Sequence, residues 1–181
     1  MEILLPTEYI EPKQIFELWK YFRKQVIACL EKTPADIFIQ NPDPTRWSIS
    51  EVAEHLYITQ FNLSRSFPIV MAGKFGEDFK GYEKEMQYAI IRRNMMKPTK
   101  VKNPKSVEPL NKYSYAELIP LLNDSESKME KFVNKYSKEQ MQTRAMEHPI
   151  FGFLNVFDFF WVMTMHEKSH LTAIEERTKD F

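Results

Sequence analysis

Four histidines, His55, His148, His166 and His170, carry most of the chemistry this sequence can offer. His166 and His170 stand four apart on a segment patterned as a helix, so their imidazoles project from one face, one turn apart. Projected at about 100° per residue, they share that face with Phe159, Met163 and Ala173. Two bare imidazoles in a core-facing stripe are costly to bury. His55 falls on the shoulder of another apolar stripe, near Val52 and Thr59, and a helical bundle can bring the two faces together. Three neutral imidazoles suit a divalent transition metal, with zinc or nickel placed first and copper or iron(II) also allowed. Three protein ligands leave coordination positions open, as catalytic sites do. The residues alone equally allow His166 and His170 to be hydrogen-bonded core histidines, with His55 half-exposed. His148 precedes Pro149 in an expected loop, where a structural or supporting role is favoured over metal ligation.

A second motif overlaps the first. His166-Glu167-Lys168-Ser169-His170 matches H-E-x-x-H, in which the glutamate of a zinc peptidase acts as general base. No further histidine follows His170, Glu175 and Glu176 lie on the same helix, and no edge strand is expected to hold a peptide. The peptidase reading is therefore set aside as coincidence. Glu167 stays a candidate base, against the favoured reading of a solvated carboxylate. Cys29 shares the core face of its helix with Phe22, Val26 and Leu30, so any reactive thiol would have to be a diffusible, low-molecular-weight one.

Four helices must position these groups. The first opens at Pro12, carries Ile15, Leu18, Trp19, Phe22, Val26 and Leu30 at helical spacing, and stops at Pro34. The second starts on the capping box Ser48-Ile49-Ser50-Glu51, with Trp47 and Val52 as a staple, and ends near Pro68 or Gly73. The third starts on Ser114-Tyr115-Ala116-Glu117 and should kink at Pro120. The fourth begins at Asn155 as cap and runs to about Arg177. Between the second and third lies a long crossover, Gly73 to Lys112, with a short helix expected over 82–96 and an exposed lysine- and proline-rich tail. No strand or hairpin signal is found, and Ile150 to Met165 reads as a buried helix. The prediction is an all-α four-helix bundle in a single domain over 1–181.

Composition narrows the function. Basic and acidic residues number 25 each, so no net charge points to nucleic acid or to a membrane surface. Four glycines leave no phosphate-cradling loop. A single cysteine and the absence of a signal-peptide pattern favour a cytoplasmic protein. The early fourth helix looks apolar nearly all round, and Phe157, Trp161 and Met165 lie away from the histidine face, which suggests a homodimer.

Three segments together resemble the DinB-like superfamily. They are Trp47-Ser48-Ile49 followed by His55-Leu56, the run His148-Pro149-Ile150-Phe151-Gly152-Phe153-Leu154-Asn155, and the closing His166-Glu167-Lys168-Ser169-His170-Leu171. The resemblance covers most of the chain, although 73–112 matches no part of the pattern. It implies an up-down-down-up bundle, often dimeric, with a metal on His55, His166 and His170. It also implies a small-molecule substrate, since members are described as metal-dependent hydrolases or as transferases using bacillithiol, mycothiol or a similar thiol. No second domain of the mycothiol-dependent isomerase kind is expected. The family name refers to induction by DNA damage and carries no implication of DNA binding.

Overall fold

Each long helix begins where a side chain can satisfy its first amides. In the computed structural model, which describes residues 8–9, 11–82 and 104–178, α1 (Pro12–Lys32) opens with Gln14 accepting from the Glu11 amide at 3.0 Å. A short α2 (Ala35–Ile39) follows Pro34. The helix α3 (Ile49–Met71) starts on the expected box: the Glu51 amide donates to Ser48 Oγ at 3.1 Å and the Ser48 amide to Glu51 Oε2 at 2.7 Å. Pro68 falls in its last turn and does not stop it. The helix α4 (Tyr115–Val133) opens with Ser114 and Glu117 paired at 2.8 Å and continues through Pro120. After a one-turn α5 (Lys138–Met141), the last helix, α6 (Val156–Thr178), is capped by Asn155, whose Oδ1 accepts from the Asp158 amide at 2.9 Å.

Contacts at the helix ends fix the topology. The end of α6 meets the approach to α3, where Arg177 donates to the Trp47 carbonyl, so these two run antiparallel. Glu54, early in α3, accepts from the Lys112 amide just before α4, so α3 and α4 run parallel. Phe38, just beyond α1, packs edge-on against Tyr115 at the start of α4, which makes α1 and α4 antiparallel. The order is therefore up-down-down-up, with α1 beside α6 and α3 beside α4. Parallel α3 and α4 require the long crossover, because a short loop can join only antiparallel neighbours. Of the helix expected over 82–96, all beyond Tyr82 lies outside the described residues.

The interior is aromatic: Phe67 packs at 5.4 Å from Phe132 and 5.7 Å from Phe159, and Phe16, Phe157 and Phe160 are also buried. Burying a side chain of this size contributes about 1.5–3 kcal/mol. Among the described residues no helix is long and apolar enough to cross a membrane.

Two expectations are corrected here. Three strands exist where none was foreseen: β1 (Glu77–Asp78), β2 (Arg144–His148) and β3 (Gly152–Asn155), antiparallel in that order. The β2–β3 hairpin pairs Ala145 with Asn155 and His148 with Gly152. Residues 150–155 thus belong to the hairpin rather than to a buried helix, and the helix starts at Val156. The strands escape detection because their burial does not alternate cleanly and Pro149-Ile150-Phe151 contains no Asn-Gly or Asp-Gly turn. Gly76 lets β1 reach β2: a Cβ there would lie 2.2 Å from the Ala145 carbonyl oxygen.

Candidate metal centre

His55, nearly two turns into α3, and His166 and His170, at and just beyond the middle of α6, meet where these two helices face each other. His55 Nε2 and His170 Nε2 each lie 3.1 Å from His166 Nε2. One ligand atom from each of the three falls within a 4.8 Å span. The chain itself orients the first ring: His55 Nδ1 donates to the Val107 carbonyl at 2.6 Å, which leaves Nε2 with a free lone pair. Val107 belongs to a single 3-10 turn (Lys105–Val107) at the end of the crossover. Asn62 of α3 donates to the Ser106 carbonyl in that turn at 3.2 Å. The segment that follows is held to α3 by the buried Glu54 carboxylate, which accepts from the amides of Leu110, at 3.1 Å, and Lys112, at 3.3 Å. On its other side His55 packs against Trp47, ring centres 4.9 Å apart.

The donor set calls for a cation. A single Nε2 proton on His166 can be shared with one neighbour only, so three convergent nitrogens cannot satisfy one another by hydrogen bonding alone. Metal–imidazole bonds of about 2.0–2.1 Å separate adjacent ligand nitrogens by roughly 2.9–3.4 Å, and the two 3.1 Å spacings fit that range. Burial, then the neighbouring histidines, holds His166 well below the ordinary histidine range. Burial also lowers His170 to about 3, with His55 and Arg177 acting the same way. His55 is lowered by burial against the opposing pull of the Val107 carbonyl and Glu167. All three are neutral at pH 7 and ready to donate lone pairs.

Beside the triad lies a cavity of about 490 Å³ between α3, α6, the 3-10 turn and the β2–β3 turn. Phe159 and Met163, on the histidine stripe as expected, form part of its wall. His148 reaches it from the end of β2 and stays outside the three-histidine cluster. Its Nδ1 accepts from the amides of Ile150, at 3.1 Å, and Phe151, at 3.3 Å, so it braces the turn in the structural role expected.

Glu167 is not the solvated carboxylate that was favoured. It is fully buried and turned to the centre of the bundle, where Arg23 Nε donates to Oε1 at 2.6 Å and Gln60 Nε2 to Oε2 at 2.6 Å. Arg23 also donates to the Leu122 carbonyl at 3.2 Å and to Gln60 Oε1, and Ser125 Oγ donates to Gln60 Oε1 at 3.2 Å. One polar knot therefore ties α1, α3, α4 and α6 together. Sequence reasoning missed Arg23 and Gln60, although a signal existed. Arg23 sits four beyond Trp19 and three before Val26, and Gln60 sits four beyond Leu56 and three before Leu63, each a polar residue on an apolar stripe. Cys29 is half-buried on α1, off the cavity wall, and burial raises its thiol.

Comparison with known proteins gives a family and a fold. A family model described as the DinB superfamily matches residues 17–174. Among solved structures, YfiT from Bacillus subtilis is described as "a probable metal-dependent hydrolase with an unusual four-helix bundle topology". It matches with a TM-score of 0.67 at 12% identity, over 96% of this chain and 90% of that one. TT2238, described as a four-helix bundle protein, matches with a TM-score of 0.57 at 19% identity, over 91% of this chain and 98% of that one. At such identities the likeness establishes the fold. A search of curated proteins returns no match.

Proposed function

The chain belongs to the DinB superfamily, and from that premise we propose that it is a metal-dependent enzyme acting on a small molecule, a hydrolase or a thiol S-transferase. The observation that carries this reading is the convergence of three neutral Nε2 atoms at the wall of a cavity of small-molecule size. His55, His166 and His170 are the proposed ligands, and zinc or nickel the metals that suit them best. Bound there, such a cation supplies Lewis acidity and lowers the pKa of a water or thiol in its open position. The remaining work falls to the chain: Val107 and Glu54 fix the His55 ring, Trp47 shields it, and the cavity orients the substrate. Hydrolysis is placed ahead of thiol transfer because no lysine or arginine among the described residues lines the cavity, whereas a carboxylate-bearing thiol such as bacillithiol calls for one. Glu167, bound to Arg23 and Gln60 at the centre of the bundle, is committed to the polar knot and is not the base of this reading.

The test starts with metal identification by mass spectrometry on protein purified without a histidine tag. A panel of activated esters, amides and alkylating electrophiles then follows, with metal and small thiols supplied or withheld. Metal-dependent, thiol-independent cleavage supports the hydrolase. Turnover that needs both metal and thiol, and survives Cys29→Ser, supports the transferase. Protein that retains no metal, or shows no turnover across the panel, shifts the reading to a non-enzymatic bundle.

A further inference from the structure

Two polar groups on the cavity wall stand out once the histidine triad and its supports are accounted for: a buried hydroxyl and a fixed ring N–H. Thr59 stands one helical turn beyond His55 on α3, lines the cavity and is 8% exposed, and its Oγ1 has no hydrogen-bond partner among the described residues. A buried hydroxyl without a partner costs about 1–3 kcal/mol, so a bound molecule that satisfies it recovers that loss. His148 is the second. Because its Nδ1 accepts two backbone amides, the neutral ring must carry its proton on Nε2. Burial lowers this histidine to about 4, which keeps it neutral at physiological pH. Its ring is clamped between Phe151, at 4.8 Å, and Phe159, at 4.9 Å, so the direction of that N–H is set. The remaining wall mixes apolar side chains, Leu63, Met146, Ile150 and Met163 among them, with Asn62 and three serines, and its one acidic residue among the described ones is the exposed Glu147.

We propose that Thr59 Oγ1 and His148 Nε2 are the substrate-orienting donors of this cavity, and that its ligand is a neutral molecule with an apolar body and a carbonyl oxygen. The proposal rests on the reading of the cavity as the substrate site and adds the chemical class that the site selects. A hydroxyl and an N–H can both donate to a carbonyl, whereas a hydrocarbon leaves both unsatisfied. A carboxylate would enter a wall that has no lysine or arginine among the described residues, and only the metal would offset its charge.

The experiment measures binding rather than turnover. Ketone, ester and amide fragments, such as 4-phenylbutan-2-one, are each paired with the hydrocarbon of the same shape and with the corresponding carboxylate. Dissociation constants are read by ligand-observed NMR on metal-free and on zinc-loaded protein. In the wild type the carbonyl fragments should bind roughly three- to tenfold tighter than their hydrocarbons, the span of one to two modest hydrogen bonds. In metal-free protein they should also outbind the carboxylates. Thr59→Val removes only the hydroxyl and should leave the melting temperature unchanged or higher while erasing most of the carbonyl preference. His148→Asn keeps an acceptor for the turn, shortens the donor out of reach and should act the same way. If the wild type shows no carbonyl preference, or keeps it in Thr59→Val, the proposal is overturned. Carboxylates that bind best without metal would overturn the neutral class. Zinc that fails to bind, with the carbonyl preference intact, supports the donors and strikes only the metal reading.

Discussion

A helix turns by about 100° per residue, and between His166 and Glu167 that turn separates the cavity from the centre of the bundle. His166 faces its two partner histidines at 3.1 Å, while Glu167 forms a buried ion pair with Arg23 at 2.6 Å. The two residues therefore respond to mutation differently. His55→Ala, His166→Ala and His170→Ala should each lose most of the bound metal yet keep their helical circular dichroism, because the helix caps do not depend on the site. His148→Ala should keep its metal. Full occupancy in the His55 variant, by mass spectrometry, would end the three-ligand model. Arg23→Met should leave metal stoichiometry alone and lower stability by about 3–5 kcal/mol, since it strands a buried carboxylate. Replacing Glu167 by Met as well should recover much of that loss. A single variant within about 1 kcal/mol of wild type in urea denaturation would show the knot to be unimportant.

At the scale of elements, capping was the readable part. The boxes at Ser48 and Ser114 and the cap at Asn155 appear where the sequence placed them, because each is a local interaction among residues three apart. The hairpin was not readable, since β2 and β3 are defined by pairing with each other and with β1, which lies 66 residues upstream in the Arg144–Asp78 contact. The same holds for the site. Three histidines could be selected from helical phase, but the Val107 carbonyl and the Glu54 anchor join segments across a crossover without a pattern. This long-range link makes a prediction. Glu54→Ala removes no ligand, yet it takes away one of the two ties, Glu54 and Asn62, that hold the 3-10 turn and the segment after it against α3. Metal affinity, read by chelator competition, should fall roughly 10–100-fold, as when a supporting hydrogen bond is lost from a metal ligand. Unchanged affinity would mean that Val107 holds its place without Glu54.

For the whole molecule, the apolar girth of early α6 is accounted for inside the chain. Phe157, Trp161 and Met165, which suggested a surface for a second copy, are all buried, with α1 and α3 on two sides and β2, β3 and α5 covering much of the rest. A stretch that is apolar all round marks a helix enclosed by its own fold as readily as one shared between copies. The same enclosure governs the response to acid. Burial lowers His148 to about 4 and His170 to about 3 and depresses His55 and His166 too, whereas in the unfolded chain all four titrate near 6.5. Between these limits the unfolded state binds more protons than the folded one, so stability rises with pH through the window. The contribution is complete above about 6.5 and is lost progressively as pH falls toward 4 and then 3. Zinc adds a further increment, because it binds only the neutral imidazoles, and that increment is lost only as pH falls toward the folded-state values, near 3 for His170. Melting temperatures of metal-free protein from pH 7.5 to 4 should therefore decline less steeply in His148→Asn than in wild type, whatever the carboxylates contribute to both. The zinc-loaded wild type should start higher and keep most of its increment down to about pH 4, because His166 and His170 are still neutral there. Parallel slopes in wild type and variant would show that His148 titrates alike in folded and unfolded chains. A zinc increment already gone by pH 5 would show that the metal is held by groups that protonate well above these histidines.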